Sequence, residues 1–291
     1  MKRIRTRLSI PSEPLSGRIV VTGANGMLGW DLGQVLGPLL PGSRLVLLDR
    51  SALDITRPEQ VAHLREYRPS VVINSAAYTN VDHAEREREA AYAVNVRGVA
   101  HLASFCREMG ARLVHFSSDQ VFDGSGSTPW RETDPPRPCN WYAETKHLGE
   151  VEALKNEDAL VLRVQWLYGQ RKDRFTILRG KETFSPFADQ CGAPTWSRDI
   201  ARAVVALVAR GAQGLYHFSY DDYASWADVF QFVKEELQLS TRLIPRKTQE
   251  ARLPARRPLF SVLSNRKLVE FLCMEGMGSW KDPLGEFLKS R

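Results

Sequence analysis

One local pattern constrains this chain more than any other. A short apolar run at residues 18–22 passes directly into Gly23-Ala24-Asn25-Gly26-Met27-Leu28-Gly29 and then into helically spaced apolar residues over 27–36. Glycine is needed in such a strand-to-helix turn because the backbone takes up torsions closed to other residues, and because a pyrophosphate must approach bare amides at a helix N-terminus. A second apolar run, 45–48, ends at Asp49, twenty residues after Gly29. That is the spacing of a dinucleotide-binding unit whose acid bonds the adenosine ribose. Gly23, Asn25, Gly26, Met27, Leu28 and Asp49 are therefore candidate cofactor-binding residues. Asp49 repels a 2′-phosphate whereas the adjacent Arg50 accepts one, so both NADH and NADPH remain open. Asp54-Ile55 is expected against the adenine; its plainer reading is a helix cap ahead of Pro58.

The rest of the first half repeats this alternation. Apolar runs at 71–74, 112–117 and 160–164 are nearly continuous, as in strands buried on both faces, and helical spacing fills 58–67, 85–109 and 142–154. This pattern predicts an α/β, Rossmann-type doubly wound parallel sheet. After residue 164 the periodicity loosens. Residues 175–194 have no clear period, 198–208 and 226–237 read as helices, 214–218 as a short strand, 243–258 as a Pro/Arg-rich stretch and 265–272 as a last helical segment. Three regions are expected: an N-terminal arm over 1–16, outside the fold and disordered; a dinucleotide-binding domain over 17–164; and a smaller substrate-binding lobe over 165–291, partly interleaved with the first domain and laid over the carboxyl edge of the sheet, where open α/β sheets bind ligands.

With 43% hydrophobic and 25% charged residues over 291, the composition excludes disordered, collagen-like and disulfide-stapled classes. The four cysteines are scattered and the six histidines form no i, i+4 pair, so no metal site is expected, and a reducing cytoplasm suits the chain. The basic start has no apolar stretch behind it to make a signal peptide, and no run approaches the ~20 apolar residues that span a bilayer.

Tyr142-Ala143-Glu144-Thr145-Lys146 puts a phenol and an ammonium one helical turn apart. Free tyrosine titrates near ~10, so it serves as an acid–base group only when a nearby cation stabilises its phenolate. The fourth strand ends at Ser117-Ser118-Asp119, which brings a hydroxyl to the same sheet edge. Ser118 to hold a carbonyl, Tyr142 to protonate it and Lys146 to tune the tyrosine form a carbonyl-reduction set; a nicotinamide alongside makes the reaction hydride transfer.

Together with the glycine turn and Asn95 in Val94-Asn95-Val96, these residues resemble the extended short-chain dehydrogenase/reductases. Further blocks narrow the resemblance: 74–82 with Glu85, 117–124, 142–150, Asp189-Gln190-Cys191-Gly192-Ala193-Pro194-Thr195, Gly214-Leu215-Tyr216-His217 and Pro254-Ala255-Arg256-Arg257-Pro258. In this order, over nearly the whole chain, they are similar to the dTDP-4-dehydrorhamnose reductase family. The resemblance implies reduction of the C4 ketone of dTDP-4-dehydro-L-rhamnose in dTDP-rhamnose biosynthesis, with Tyr142 as proton donor, Lys146 on the nicotinamide ribose and Ser118 polarising the ketone. It also implies that Ala76, Ala77, Tyr78 and Asn95 contact the cofactor, and that Gln120, Val121, Trp166, Gln190, Arg256 and Arg257 face the nucleotide sugar. An indole offers a flat surface and arginine forks suit a diphosphate. Members of the family occur as monomers or homodimers.

The chain departs from the family pattern at Ser118 (usually threonine), Gln120 (usually tyrosine), Gln165 (usually serine) and in a short segment over 171–189. These departures bear on the sugar rather than on hydride chemistry. They leave two alternatives: a reductase of another nucleotide-linked 4-keto sugar, and a non-catalytic NADP-binding regulatory subunit similar to the methionine adenosyltransferase β subunit.

The net charge of +6 is local. Lys2, Arg3, Arg5 and Arg7 fall in the arm, and residues 241–257 hold Arg242, Arg246, Lys247, Arg252, Arg256 and Arg257 against Glu250 alone, leaving the sheet-forming body slightly acidic. A nucleic-acid binder shows a broad basic face. A single basic segment beside a cleft fits a diphosphate, and neither nucleic acid nor membrane is an expected partner.

Overall fold

Ile19 and Val21 of the first strand enter one apolar cluster and Val20, between them, enters another on the opposite side. That alternation is the signature of a strand buried on both faces. The computed structural model describes residues 8, 15–40 and 42–291. Six strands, β1 Ile19–Thr22, β2 Leu45–Leu48, β3 Val71–Asn74, β4 Arg112–Ser118, β5 Leu160–Val164 and β6 Gly214–His217, form one sheet in the order β2-β1-β3-β4-β5-β6. Every neighbouring pair is parallel. The chain leaves β1 for β2 on one side and returns to β3 on the other, so the carboxyl ends of β1 and β3 diverge around a crevice, the switch point where open sheets bind ligands.

One face carries α1 (Met27–Leu36) and a later helix, Ser197–Ala209, which bury Leu32, Leu36, Ile200, Val204 and Leu207 together. Truncating Leu32, which is fully buried, to alanine would cost ~2–5 kcal/mol. The other face carries α2 (Gly98–Met109) through Val99, Leu102 and Cys106. Helix α3 (Trp141–Ala153) follows β4, with Ala143, Thr145, Lys146, Gly149 and Glu150 buried. Among the described residues, no helix is long and apolar enough to cross a membrane.

Several expectations need correction. The helix expected over 85–109 is broken: Arg88–Tyr92 passes through a π-helical turn, Ala93–Arg97, before α2 begins. Apolar spacing does not reveal the extra residue, because buried Ala91, Val96 and Val99 keep a near-helical period across it. The segment 58–67 tightens after Ala62 into a 3-10 turn, His63–Tyr67. The strand near 214 is the sheet's sixth, and helix Ser197–Ala209 packs on the same sheet, so part of the second half is interleaved with the first layer system. The arm over 1–16 lies mostly outside the described residues. Leu15, within it, is buried in the core, and its carbonyl accepts from Arg44.

Candidate active site

The glycine turn closes tightly against the loop after β3. Gly23 has φ +67°, and a Cβ there would lie 2.6 Å from the Ala76 nitrogen; a Cβ on Gly29 would lie 2.3 Å from the Gly23 carbonyl oxygen. Gly26 caps α1 with no side chain bonded over its end, so the first amides of α1 face outward with their dipole unused. The cleft is walled by Gly23, Asn25, Gly26, Asp49, Arg50, Asp54, Ile55, Ala76, Ala77 and Tyr78, as expected, and by Leu53, Ser75 and Val94, which the motif reading missed. Met27 and Leu28 are not among the lining side chains, and Leu28 packs into the core, so these residues offer the cleft their backbone only.

Each side chain of the cleft is oriented locally. Asn25 donates to Asp49 at 2.5 Å. The other Asp49 oxygen accepts from the Ser51 hydroxyl at 2.6 Å and from the Ser51 and Ala52 amides, which holds its carboxyl below the usual range. Asp54 accepts from the Thr56 amide and hydroxyl and does not cap the following helix, whose N-cap is Arg57. Asn95 does not line the cleft. From the π turn it accepts from the Tyr78 amide at 2.9 Å and donates to the Tyr78 carbonyl at 3.1 Å and to Thr145 at 3.0 Å, tying the cofactor loop to α3. π-helical turns recur at functional sites for this reason: they reaim one side chain.

Ser118, Tyr142 and Lys146 converge where β4 ends and α3 begins. Asn140 caps α3, its side chain accepting from the Ala143 amide at 2.8 Å, and Trp141 donates its amide to Glu85 at 2.8 Å. The Ser118 hydroxyl is within hydrogen-bonding reach of the Tyr142 phenol. Burial pushes that phenol up to about 12; the Ser118 contact opposes the rise, the Asp119 charge adds to it and Arg174 opposes it. Arg174 is thus a cation acting on Tyr142 that the spacing did not point to. Lys146 donates to the Phe116 carbonyl at 2.6 Å, and burial brings its ammonium down to about 8 against the pull of Glu150. Glu150 itself receives a two-pronged hydrogen bond from buried Arg163, at 2.7 and 2.8 Å. Burial works to raise this carboxyl, but the guanidinium outweighs it and holds it down to about 2.

The sugar-facing residues are more committed than motifs imply. Val121 is fully buried with Phe122 and Leu263. Gln120 accepts from Asn140 at 3.1 Å, and the same Asn140 amide donates to the Arg256 carbonyl at 2.8 Å. Gln190 is buried and donates to Thr248 at 2.9 Å. Trp166, at φ +45°, stacks on Trp226 with centroids 3.9 Å apart and with Gly192 against its edge, so one indole face is already covered. Arg257 bonds Asp82 at 2.9 Å, whereas Arg256 projects exposed into a second cleft with Asp123, Asp189, Arg252 and Leu259. Only Arg252, Arg256 and Arg257 of the basic segment line that cleft; Arg246 stacks on Phe187. Sequence reasoning missed Asn140, Asp119 and Arg174. The first carries a signal, an asparagine just ahead of a predicted helix; the other two carry none.

Known proteins resemble this chain over most of its length. Residues 17–291 match the family model described as RmlD substrate binding domain. A dTDP-4-dehydrorhamnose reductase of Burkholderia thailandensis is 38% identical, covering 92% of this chain and 97% of its own length. A dTDP-4-keto-6-deoxy-D-glucose reductase of Streptomyces niveus is 39% identical over 74% of this chain and 77% of its own length. The crystal structure of dTDP-4-dehydrorhamnose reductase from Bacillus anthracis in complex with NADP superposes with a TM-score of 0.90 at 31% identity, covering 95% of this chain and all of that one.

Proposed function

This chain belongs to the dTDP-4-dehydrorhamnose reductase family, and from that premise we propose that it reduces the C4 ketone of dTDP-4-dehydro-L-rhamnose to the alcohol of dTDP-L-rhamnose. The observation that carries the reading is the meeting of Ser118, Tyr142 and Lys146 at the carboxyl end of β4, beside a glycine cradle at the sheet's switch point.

The residues of the cleft fit a dinucleotide. The space that a Cβ on Gly23 or Gly29 would fill, and the open amides of α1, suit a pyrophosphate; Asp49, Arg50, Leu53, Asp54 and Ile55 would hold the adenosine end. A bound NADPH or NADH supplies the hydride for the ketone carbon. Tyr142 gives its proton to the ketone oxygen, Ser118 orients that oxygen, and Lys146, anchored on the Phe116 carbonyl, holds the ribose side of the cofactor site. Asn95 is a positioning residue that fixes Tyr78 and α3 relative to each other. On the sugar side, exposed Arg256 serves the diphosphate and the face of Trp166 away from Trp226 the sugar ring. The scattered free cysteines suit a reducing, cytoplasmic setting.

Purified protein with NADPH or NADH and a panel of dTDP-4-keto-6-deoxyhexoses, followed at the nicotinamide absorbance, tests the proposal. Turnover fastest with the L-lyxo ketone supports it; no turnover of any sugar overturns it. The similarity to the Streptomyces niveus enzyme and the presence of Gln120 favour one second reading, a preference for dTDP-4-keto-6-deoxy-D-glucose, which the same panel distinguishes.

A further inference from the structure

Asn140 commits its whole side-chain amide to three different segments. Its Oδ1 accepts from the Ala143 amide at 2.8 Å, in the first turn of α3. Its Nδ2 donates to Gln120 Oε1 at 3.1 Å and to the Arg256 carbonyl at 2.8 Å. Asn140 is 9% exposed and stands two residues ahead of Tyr142, and Gln120 stands two residues after Ser118. The polarity of this junction is fixed from both ends. A backbone N–H only donates, so Asn140 turns its oxygen to Ala143; a carbonyl only accepts, so Asn140 turns its nitrogen to Arg256. The second N–H of that nitrogen requires an acceptor, and Gln120 supplies its Oε1. Gln120 Nε2 is left with no partner among the described residues and is not sealed from solvent. The Arg256 end is held as firmly. Asp82 accepts the Ala255 amide at 3.1 Å and pairs with Arg257 at 2.9 Å, on either side of the carbonyl that Asn140 binds. With the backbone of 255–257 pinned in this way, the Arg256 side chain projects into the second cleft.

We propose that Asn140 is a positioning residue for the nucleotide sugar: it presents Gln120 as a hydrogen-bond donor to an oxygen of the hexose and holds Arg256 in register with the catalytic helix. The Gln120 amide is bonded to Ser118, which takes the ketone, and its side chain is joined through Asn140 to Arg256, which takes the diphosphate. The oxygen that Gln120 meets therefore belongs to the part of the hexose between those two ends. With its own oxygen held by Asn140, Gln120 offers the sugar N–H groups and no acceptor. The donor is set before the sugar arrives, so little side-chain freedom is lost on binding. Asn140 itself acts through Gln120 and Arg256 and does not touch the substrate.

The inference rests on the reductase reading, and the test separates the two. Asn140→Asp keeps an oxygen over the first turn of α3, and aspartate caps a helix as well as asparagine, but it has no N–H for Gln120 or Arg256. The sugar KM should rise about tenfold, with kcat within about threefold and cofactor affinity unchanged. A residue that merely caps the helix would leave KM at the wild-type value in this variant. Gln120→Glu still gives Asn140 an oxygen, but it turns an acceptor to the sugar in place of a donor, and KM should again rise about tenfold. Thermal melts confirm folding, and the Gln120→Glu arm stands by itself should Asn140→Asp not fold. A wild-type KM in either folded variant, or a loss confined to kcat, overturns the proposal. Calorimetric titration with dTDP-L-rhamnose reads the same arms without turnover. Binding to wild type that weakens about tenfold in both variants supports the proposal even where no ketone is reduced, an outcome that counts against the reductase reading alone. Equal affinity for all three proteins, or no binding to wild type, overturns it.

Discussion

The two clefts of this molecule are built in opposite ways. In the cofactor cleft, polar side chains are oriented by near neighbours or by the adjoining strand end: Asp49 by Ser51 and Asn25, Asp54 by Thr56. In the second cleft the partners come from distant segments. Asp82 pairs with Arg257, Asn140 with the Arg256 carbonyl and Asp189 with Thr248. The first cleft leaves backbone amides open, whereas several side chains lining the second are already paired. Its capacity for a diphosphate therefore depends on which groups remain unpaired, and Arg256 is the leading one.

The strongest test cuts between the clefts. Tyr142→Phe should lower kcat by about 10³-fold, the middle of the range for a positioned proton donor, with cofactor affinity unchanged by fluorescence titration. A parallel loss of cofactor binding would mean that the two halves are not separable. Next comes the joint between them, the Glu150–Arg163 pair, which links α3 to β5. Its carboxyl, near 4.5 in the unfolded chain, sits at about 2 when folded, so it contributes stability above pH 4.5 that is lost as pH falls toward 2. That contribution is about 3 kcal/mol on the linkage scale. Glu150→Gln, which strands the Arg163 charge, should cost about 3–5 kcal/mol at pH 7 in urea melts and flatten the acid slope. A variant as stable as wild type would refute the pair's role.

Smaller effects separate the two arginines. Arg256→Ala should raise the nucleotide-sugar KM about tenfold and leave Tm unchanged, because an exposed arginine forgoes little on truncation except a charged hydrogen bond to ligand, worth ~1.5–3 kcal/mol. Arg257→Ala should do the reverse, with KM within threefold and about 1 kcal/mol lost from stability through the partly exposed Asp82 pair. If Arg257→Ala has the larger KM effect, Asp82 releases its arginine to the substrate, and the sugar-facing cleft is less committed than its hydrogen bonds indicate.

Much of the cofactor half was legible in the residues alone. The glycine turn, Asp49 and the alternating apolar runs all lie within reach of local rules, and β1 to β5 stand where the periodicity put them to within a residue. The π turn was not legible, because Ala91, Val96 and Val99 preserve a near-helical period through it. Nor was Lys146's engagement with Phe116 rather than Tyr142, since i, i+4 spacing says which side chains share a face and not which way an ammonium turns once a carbonyl is closer. Val121 was misread for a similar reason: its block marks a loop at the site, but burial turns that side chain inward.

The sequence by itself determined the sheet and the place of its glycine turn, and it brought Ser118, Tyr142 and Lys146 forward as candidates, because each of these depends on torsions and spacings a few residues long. Only the tertiary structure decided that β6 joins the sheet and that helix Ser197–Ala209 packs on its face, that Arg257 is paired while Arg256 is exposed, and that Asp119 binds both Ser118 and Ser261. Those outcomes depend on which distant groups meet in a low-dielectric interior, where a charge or hydroxyl must find a partner; proximity of that kind arises from chain folding, not from order along the chain.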